Sequence, residues 1–369
     1  MNKKQNTILI DLTSLCRKCT GIEKYAKNFA LELLRSNSNI GFILVFRKFI
    51  DPDFKQIFIS NVTFIISPFK SQLITEQFFI PYIIFLKKPS YSVFPAFPPG
   101  LFAVSSIIFM CYDATMWKYP QYLSLKNKIY FKPLSNIALH RAKHVFTCSN
   151  SSANELIFYF SVLRNKIHSI SAALPSICFN SIKQKCTLEK LRINKKYLFS
   201  VGSLEPRKNI PFLLKSITSL LLNRNLLLVL AGRKAWGNSP IQAEIASLGI
   251  SSHVIMTDYV SENELQHLYA GAEVFIFPSL YEGFGFPILE AFSCHCPVIT
   301  SNTSSMPEVA GDAAILINPQ NADEICNAVV AILENPQLRQ DLINKGMNRL
   351  KEFSWEKTTK LFIESISHA

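Results

Sequence analysis

VFIFPSLYEGFGFPILEAF, residues 274–292, joins a wholly apolar run to a helical pattern through a loop holding two glycines and a glutamate. A run as continuously apolar as VFIF has no polar face to give to water. It belongs in a parallel sheet covered by helices on both sides. Gly283 and Gly285 allow backbone angles and close approaches that other residues resist. Pro287 suits the first turn of a helix beginning there, and Phe286 before it has no side-chain acceptor for the first helical amides. An uncapped helix N-terminus attracts anions. Glu282 in the loop and Glu290 in the first turn flank that end. A phosphate at the helix, with a carboxylate on either side accepting from hydroxyls, describes a nucleotide sugar. The same residues also make an ordinary strand–loop–helix whose carboxylates complement the dipole. Phe284 and Phe286 read as an exposed pair.

The apolar pattern recurs. In the first half the runs are TILIDL (7–12), FILVF (42–46), TFIIS (63–67), SIIFMCYD (106–113) and HVFTCS (144–149). In the second they are YLFSVG (197–202), LLLVLAG (226–232), VIMTD (254–258), VFIFPS (274–279) and PVITSN (297–302). Helical patterns separate them. Two such series in 369 residues imply two doubly wound α/β domains. We place the first over 1–190, the second over 191–353, and a final helix capped by Ser354 over 354–369. The boundary is expected within 180–196, where NSIKQKCTLEKLRINKK is polar and basic. Ligands of doubly wound sheets sit beyond the carboxyl ends of the strands, so the residues just after each strand matter most.

Charge divides the chain as well. Residues 1–200 hold 27 Lys+Arg against 9 Asp+Glu, a net +18, while residues 201–369 hold 12 against 17, a net −5. A basic half expects an anionic partner, be it nucleic acid, lipid headgroups or a phosphorylated substrate, or else it is a solubilising face. The signature of a nucleic-acid module is absent, and nucleic acid is not expected as a partner. No apolar run approaches the roughly 20 residues that cross a bilayer. MNKKQNTILIDL reads as a basic tip and a first strand rather than a leader. Together with an odd count of nine cysteines, this points to the cytoplasm. Cys16 with Cys19, and Cys294-His295-Cys296, read as incidental or buried thiols.

Several strand ends carry chemistry. Arg207 and Lys208 follow a strand ending at Gly202 and precede a helix that Asn209 could cap. Two adjacent cations there would grip a diphosphate and stabilise it on departure, or form a solvated basic loop. In TGIE (20–23), Thr20 and Glu23 are spaced as a capping box, and Gly21 would let the backbone approach a phosphate. Tyr112 and Asp113 end another strand; Asp113 is a candidate for acceptor or donor-sugar binding, or a turn residue. Ser149 follows a strand, with Ser151 or Ser152 able to cap the next helix. Arg233 and Lys234 could touch a nucleotide or lie in a solvated loop. Asp51-Pro52-Asp53 has the spacing of a metal-binding D-x-D, but its proline argues for a turn. No P-loop, zincin or nucleophile-elbow motif occurs.

SLYEGFGFPILEAFSCHCPVITSNTSSMPEVAGDAAILINP (279–319) resembles the donor-binding segment of glycosyltransferase family 4, retaining GT-B enzymes with an E-x7-E motif. VGSLEPRKNIPFLLKSI (201–217), TGIEKYAKNFALELL (20–34) and SWEKTTKLF (354–362) are similar to further segments of that family. The resemblance is close in the second half and loose in the first. Within the family it leans towards bacterial O-antigen and capsule transferases, many of which use GDP-mannose. It implies that Glu290 holds the ribose, that Glu282 lies by the donor sugar, and that the backbone at Phe284, Gly285 and Phe286 contacts sugar or phosphate. It also places Val260 near the base. Family members commonly carry histidine immediately before Asp113, where this chain has Tyr112.

The expected fold is α/β of the GT-B kind, two Rossmann-like domains facing across a cleft, with the C-terminal helix crossing back to the first. The expected reaction moves a hexose, mannose before others, from a nucleotide-diphosphate sugar to a polyprenyl-diphosphate-linked glycan. The resemblance implies that it proceeds by front-face substitution, without a metal or other cofactor. The catalytic candidates are Arg207, Lys208, Glu282 and Asp113; the donor-binding ones are Gly21, Gly202, Phe284, Gly285, Phe286 and Glu290, with Tyr112, Arg233 and Val260 as further contacts. The basic first half and the aromatic stretch EQFFIPYIIFLKKPSYSVFPAFPPG (76–100) suggest an anionic membrane surface as a partner, on the inner face of the cytoplasmic membrane; buried strand, helix and loop is the alternative for that stretch. A catalytically degenerate nucleotide-sugar-binding subunit and a sugar-nucleotide epimerase remain as rival functions.

Overall fold

A computed structural model describes residues 7–15, 21–36, 39–57, 61–174, 181–202, 205–232, 241–258 and 260–367. The chain divides into two units, Met1–Ala173 with Ser354–Ala369, and Leu174–Phe353.

The first unit holds seven strands: β1 (Thr7–Asp11), β2 (Gly41–Phe46), β3 (Val62–Ile66), β4 (Tyr91–Phe94), β5 (Ile107–Met110), β6 (His144–Thr147) and β7 (Ile167–Ser169). They pair in the order β3-β2-β1-β4-β5-β6-β7, each pairing parallel. Leu9, Ile10, Leu44, Val45, Val93, Ile108 and Val145 are fully buried, as helices on both faces require. The helix Gly21–Ser36 buries Tyr25, Ala26, Phe29, Ala30, Leu33 and Leu34, a stripe at helical spacing. That stripe meets the final helix, Trp355–Ser367, through Tyr25 on Trp355 (5.1 Å between rings) and Phe29 on Phe362 (5.0 Å). The Ser354 Oγ accepts from the Lys357 amide and caps it, and Thr358 donates to the Ser171 carbonyl.

The second unit holds β8 (Tyr197–Val201), β9 (Leu227–Ala231), β10 (Val254–Met256), β11 (Val274–Phe277), β12 (Val298–Ser301) and β13 (Ala314–Ile317). Their order is β10-β9-β8-β11-β12-β13, again parallel throughout. Each sheet reverses its strand order once, between β1 and β4 in the first and between β8 and β11 in the second. Such switch points open the crevices where ligands of these folds bind.

The ten apolar runs all became strands, but the sheets have three more. β4 (YSVF) is broken by a serine and β7 (Ile-His-Ser) has one large apolar side chain, so neither announces itself by an apolar run; β13 (AILI), a half-exposed edge, carries a run as apolar as that of β11. The boundary falls at 173/174, upstream of the expected 180–196. The polar stretch there is a helix, Ser181–Lys190. Thr187 on it bonds His267 (2.7 Å), and Gln184 donates to the His267 carbonyl, which ties it to the second unit. Ser149 itself caps the helix Asn150–Tyr159, by accepting from the Ser152 amide, rather than Ser151 or Ser152. The proposed Thr20–Glu23 box and the Cys16–Cys19 pair involve residues outside those described. Among the described residues no helix is long and apolar enough to cross a membrane.

Candidate active site

At the second unit's switch point the loop after β8 meets the loop after β11. Arg207 and Lys208 lie on a short turn, Pro206–Lys208. Their partner is Glu282, which is only 8% exposed. One carboxylate oxygen accepts from Arg207 Nη1 at 2.8 Å and the other from Lys208 Nζ. Arg207 also binds Glu205 through Nε (2.7 Å) and donates to the Tyr281 carbonyl. Lys208 is 7% exposed, and its ammonium stands 4.7 Å from the centre of the Phe277 ring. Gly202 follows β8 beside it: a Cβ there would stand 3.0 Å from Lys208 Cε, so the glycine leaves room for the lysine.

The electrostatics follow from that burial. Burial alone would raise the Glu282 carboxyl, but the charges of Lys208 and Arg207 outweigh it and hold the pKa below the ordinary carboxylate value. Lys208 goes the other way: burial lowers its pKa despite Glu282 beside it. The cations are therefore not free in a solvated loop; they hold one buried carboxylate between them.

The helix after β11 runs Phe286–Ser293, one residue earlier than expected, with Pro287 in its first turn. Its N-cap is Gly285, at a φ of 109° that disfavours any side chain, and no side chain caps the helix. Phe286 is half-buried and packs edge-on against Phe284 at 5.2 Å. Phe284 is buried rather than exposed, because it also meets Phe353 in the same unit. Ser305 Oγ donates to the Glu282 and Phe284 carbonyls (2.9 and 2.8 Å), and the Glu282 amide donates to Ser304 Oγ at 3.0 Å. Glu290 is not in the first turn, as expected, but further along, because the helix already begins at Phe286; it accepts from the buried Tyr269 hydroxyl at 2.9 Å. Asn209 stands at the N-cap of the helix Ile210–Asn223 but does not cap it; its side-chain amide donates to the Pro319 carbonyl instead. Val260 is half-buried just before Ser261, the cap of the helix Glu262–Gly271. Arg233 and Lys234 lie outside the described residues.

Ser304, Ser305 and Tyr269 are the supporting residues that reading the sequence missed. The serines follow β12, where strand ends were known to matter, but only the fold puts them under the 281–285 loop.

In the first unit, Asp113 Oδ1 accepts from the Thr115 amide (2.8 Å) and so shapes the turn after β5. The Tyr112 hydroxyl donates to the Pro95 carbonyl after β4, and its ring meets Tyr25 edge-on at 5.0 Å. Its phenol is raised well above its ordinary pKa, chiefly by burial. Gly21 opens its helix, and a Cβ there would meet nothing within 4 Å. Asp51 and Asp53 do not stand together as free ligands: both pair with Lys27, at 2.9 and 2.8 Å, and Asp51 caps the turn Pro52–Lys55.

Two parallel doubly wound sheets with a charge cluster at one switch point define the GT-B class of glycosyltransferase folds, and solved structures agree. Sucrose-phosphate synthase from Thermosynechococcus elongatus superposes with a TM-score of 0.73 over 99% of this chain and 100% of that one, at 16% identity. WaaG, a glycosyltransferase involved in lipopolysaccharide biosynthesis, does so with a TM-score of 0.70 over 98% and 100%, at 14% identity. Residues 186–349 match the family Glycosyl transferases group 1. O-antigen chain mannosyltransferase B of Escherichia coli is 31% identical over 253 residues, 67% of this chain and 66% of that protein. The serotype-specific mannosyltransferase WbdA of Escherichia coli is 30% identical over 239 residues, 62% of this chain but only 29% of that protein. A 4-alpha-N-acetylgalactosaminyltransferase of Campylobacter jejuni, named for its diphospho-undecaprenol-linked acceptor, is 26% identical over 280 residues, 75% of this chain and 73% of that protein.

Proposed function

We propose that this chain is a retaining hexosyltransferase of surface-polysaccharide biosynthesis. It moves mannose from GDP-mannose to a glycan carried on a polyprenyl diphosphate. The observation that carries the reading is the Arg207–Lys208–Glu282 cluster at the β8/β11 switch point, beside a helix N-terminus with no side-chain cap. A nucleoside diphosphate arriving there brings the negative charge that Glu282 supplies to the two cations in its absence. Arg207 and Lys208 then turn to the diphosphate, the helix end adds its dipole, and charge building up on the leaving group is stabilised where water is largely excluded. Glu282, released from the cations, becomes an acceptor for donor-sugar hydroxyls, and Glu290, oriented by Tyr269, for the ribose. No step in this scheme calls for a metal. The first unit takes the acceptor, with Asp113 and Tyr112 after β5, while the backbone at Gly21, opening its helix, approaches the donor phosphate.

The donor and acceptor rest on relatives named as O-antigen mannosyltransferases and on one named for an undecaprenol-linked substrate. The test is transfer of labelled mannose from GDP-mannose to a synthetic polyprenyl-diphosphate glycan, with the product's anomeric configuration read by NMR. An α-mannoside formed without added metal supports the reading. No product with any nucleotide sugar would favour a subunit that binds donor without turnover, and turnover without acceptor would favour an epimerase.

A further inference from the structure

The stretch 76–100 divides between core and surface. Ile80, Ile83, Ile84, Val93 and Phe94 are buried, while Ile74, Phe78, Tyr82, Phe85 and Leu86 form an outward stripe spaced three and four residues apart. Phe85 is 73% exposed. The next loop joins the stripe: Phe78 and Phe102 lie ring to ring at 5.8 Å, with Phe102 61% and Val104 81% exposed. Leu125 and Ile129 add a third exposed segment. Single exposed apolar residues are ordinary; three segments of them gathered together are not.

What gathers them is a buried polar network. The Gln77 side chain accepts from the Leu101 amide and donates to the Tyr130 hydroxyl, both at 2.9 Å. Tyr130 donates to Glu76 at 3.0 Å, and Glu76 accepts in turn from Gln72. Glu76 and Gln77 lie on a π-turn, Thr75–Phe79, between Ile74 and Phe78 at the start of the stripe. Gly100 lies so close that a Cβ would be 2.2 Å from the Glu76 carbonyl. The surroundings are cationic. From 77 to 154 the chain carries eight Lys and Arg and one acid, Asp113. Lys70, Lys87, Lys88, Lys126 and Lys128 are exposed on the segments that carry the apolar side chains or adjoin them.

We infer that this face is the seat of the protein on an anionic phospholipid bilayer. The aromatic and aliphatic side chains enter the headgroup boundary, and the lysines meet lipid phosphates around them. A second copy of the chain would bring the same lysines together and is disfavoured by their repulsion. The inference deepens the proposed function, since a polyprenyl-linked acceptor is presented at a bilayer.

The test is cosedimentation of the full chain with vesicles of phosphatidylcholine alone or with about 30% phosphatidylglycerol, at low salt and at about 0.5 M salt. The wild type should bind the anionic vesicles at low salt and lose about tenfold or more in affinity on neutral vesicles. Phe78→Ser/Phe85→Ser/Phe102→Ser should lose a similar factor on anionic vesicles. Lys87→Glu/Lys88→Glu, which leaves the aromatics in place, should do so with a reduced salt dependence. Both variants should keep the wild-type melting temperature and its shift with nucleotide. Failure of the wild type to bind anionic vesicles, binding by the triple variant equal to wild type, or a dimer that the triple variant abolishes would overturn the inference. The nucleotide shift, measured on the same samples, reports separately on the donor site.

Discussion

The two sheets reverse their strand order in the same way but place opposite electrostatics near the reversal. In the second unit Glu282 is buried against two cations, which hold its pKa down. In the first unit Asp11, at the end of β1, is buried with Thr13 as its hydrogen-bond partner and is pushed up to about 6. Glu76, linked towards it through Gln72 and Thr13, is pushed up to about 7, first by burial. One reversal stores ionic charge that an anionic ligand can re-partner. The other stores carboxyls in a hydrogen-bonded frame that fixes the shape of its loops.

Removing a charge should therefore hurt most in the second unit. Lys208→Ala strands Glu282 with Arg207 alone, and we expect a loss of about 2–4 kcal/mol in stability. Transfer should fall by about 10²–10³-fold; a fall under fivefold in a folded sample would mean that Lys208 is only a strut for Glu282.

In the first unit the corresponding probe is pH. The folded state holds the Glu76 proton between its ordinary value of 4.5 and about 7. The unfolded state has already lost it there, so this group's contribution to stability falls as pH rises through that window. Glu76→Gln removes this group's share of the dependence, while Asp11, raised to about 6, keeps its own. The melting temperature of wild type minus that of Glu76→Gln should thus drop between pH 5 and pH 8, by an amount equivalent to about 1–3 kcal/mol. His144, lowered to about 4 chiefly by burial, has the opposite slope but is common to both proteins and cancels in the difference. An unchanged difference across the range would show that Glu76 is ionised in the folded state.

The smallest effect should come from a residue that only orients. Tyr269→Phe frees the Glu290 carboxylate of one hydrogen bond, and nucleotide affinity should weaken by about 0.5–1.5 kcal/mol, up to roughly tenfold in Kd. Titration calorimetry reads this directly.

The sequence made the strands legible where apolar side chains run unbroken, as in VFIF and LLVLA, and silent where polar residues interrupt them, as in β7 with its single isoleucine. Arg207, Lys208, Glu282 and Glu290 could each be picked from strand-end position and spacing. Their pairing could not: Lys208 and Glu282 are 74 positions apart and meet only because β8 lies next to β11. The same holds for Ser305 under the loop and for Tyr269 on Glu290, whose local sequence offers nothing but a serine before a short helix and a tyrosine on a helix. The mixed fate of 76–100 has a similar origin. Its composition is apolar throughout, and only packing decides which side chains face the core.

The central claim is that the Arg207–Lys208–Glu282 cluster binds a nucleoside diphosphate. The most direct measurement is the melting temperature of wild type and of Arg207→Ala/Lys208→Ala with GDP, UDP, dTDP and CMP, each without metal. At about 100 times its Kd a bound nucleotide stabilises by about 2.7 kcal/mol, a shift of several degrees. We predict that shift for the wild type with GDP and its loss in the double variant. A cooperative melt that no nucleotide moves, or one that moves equally in both proteins, would contradict the account.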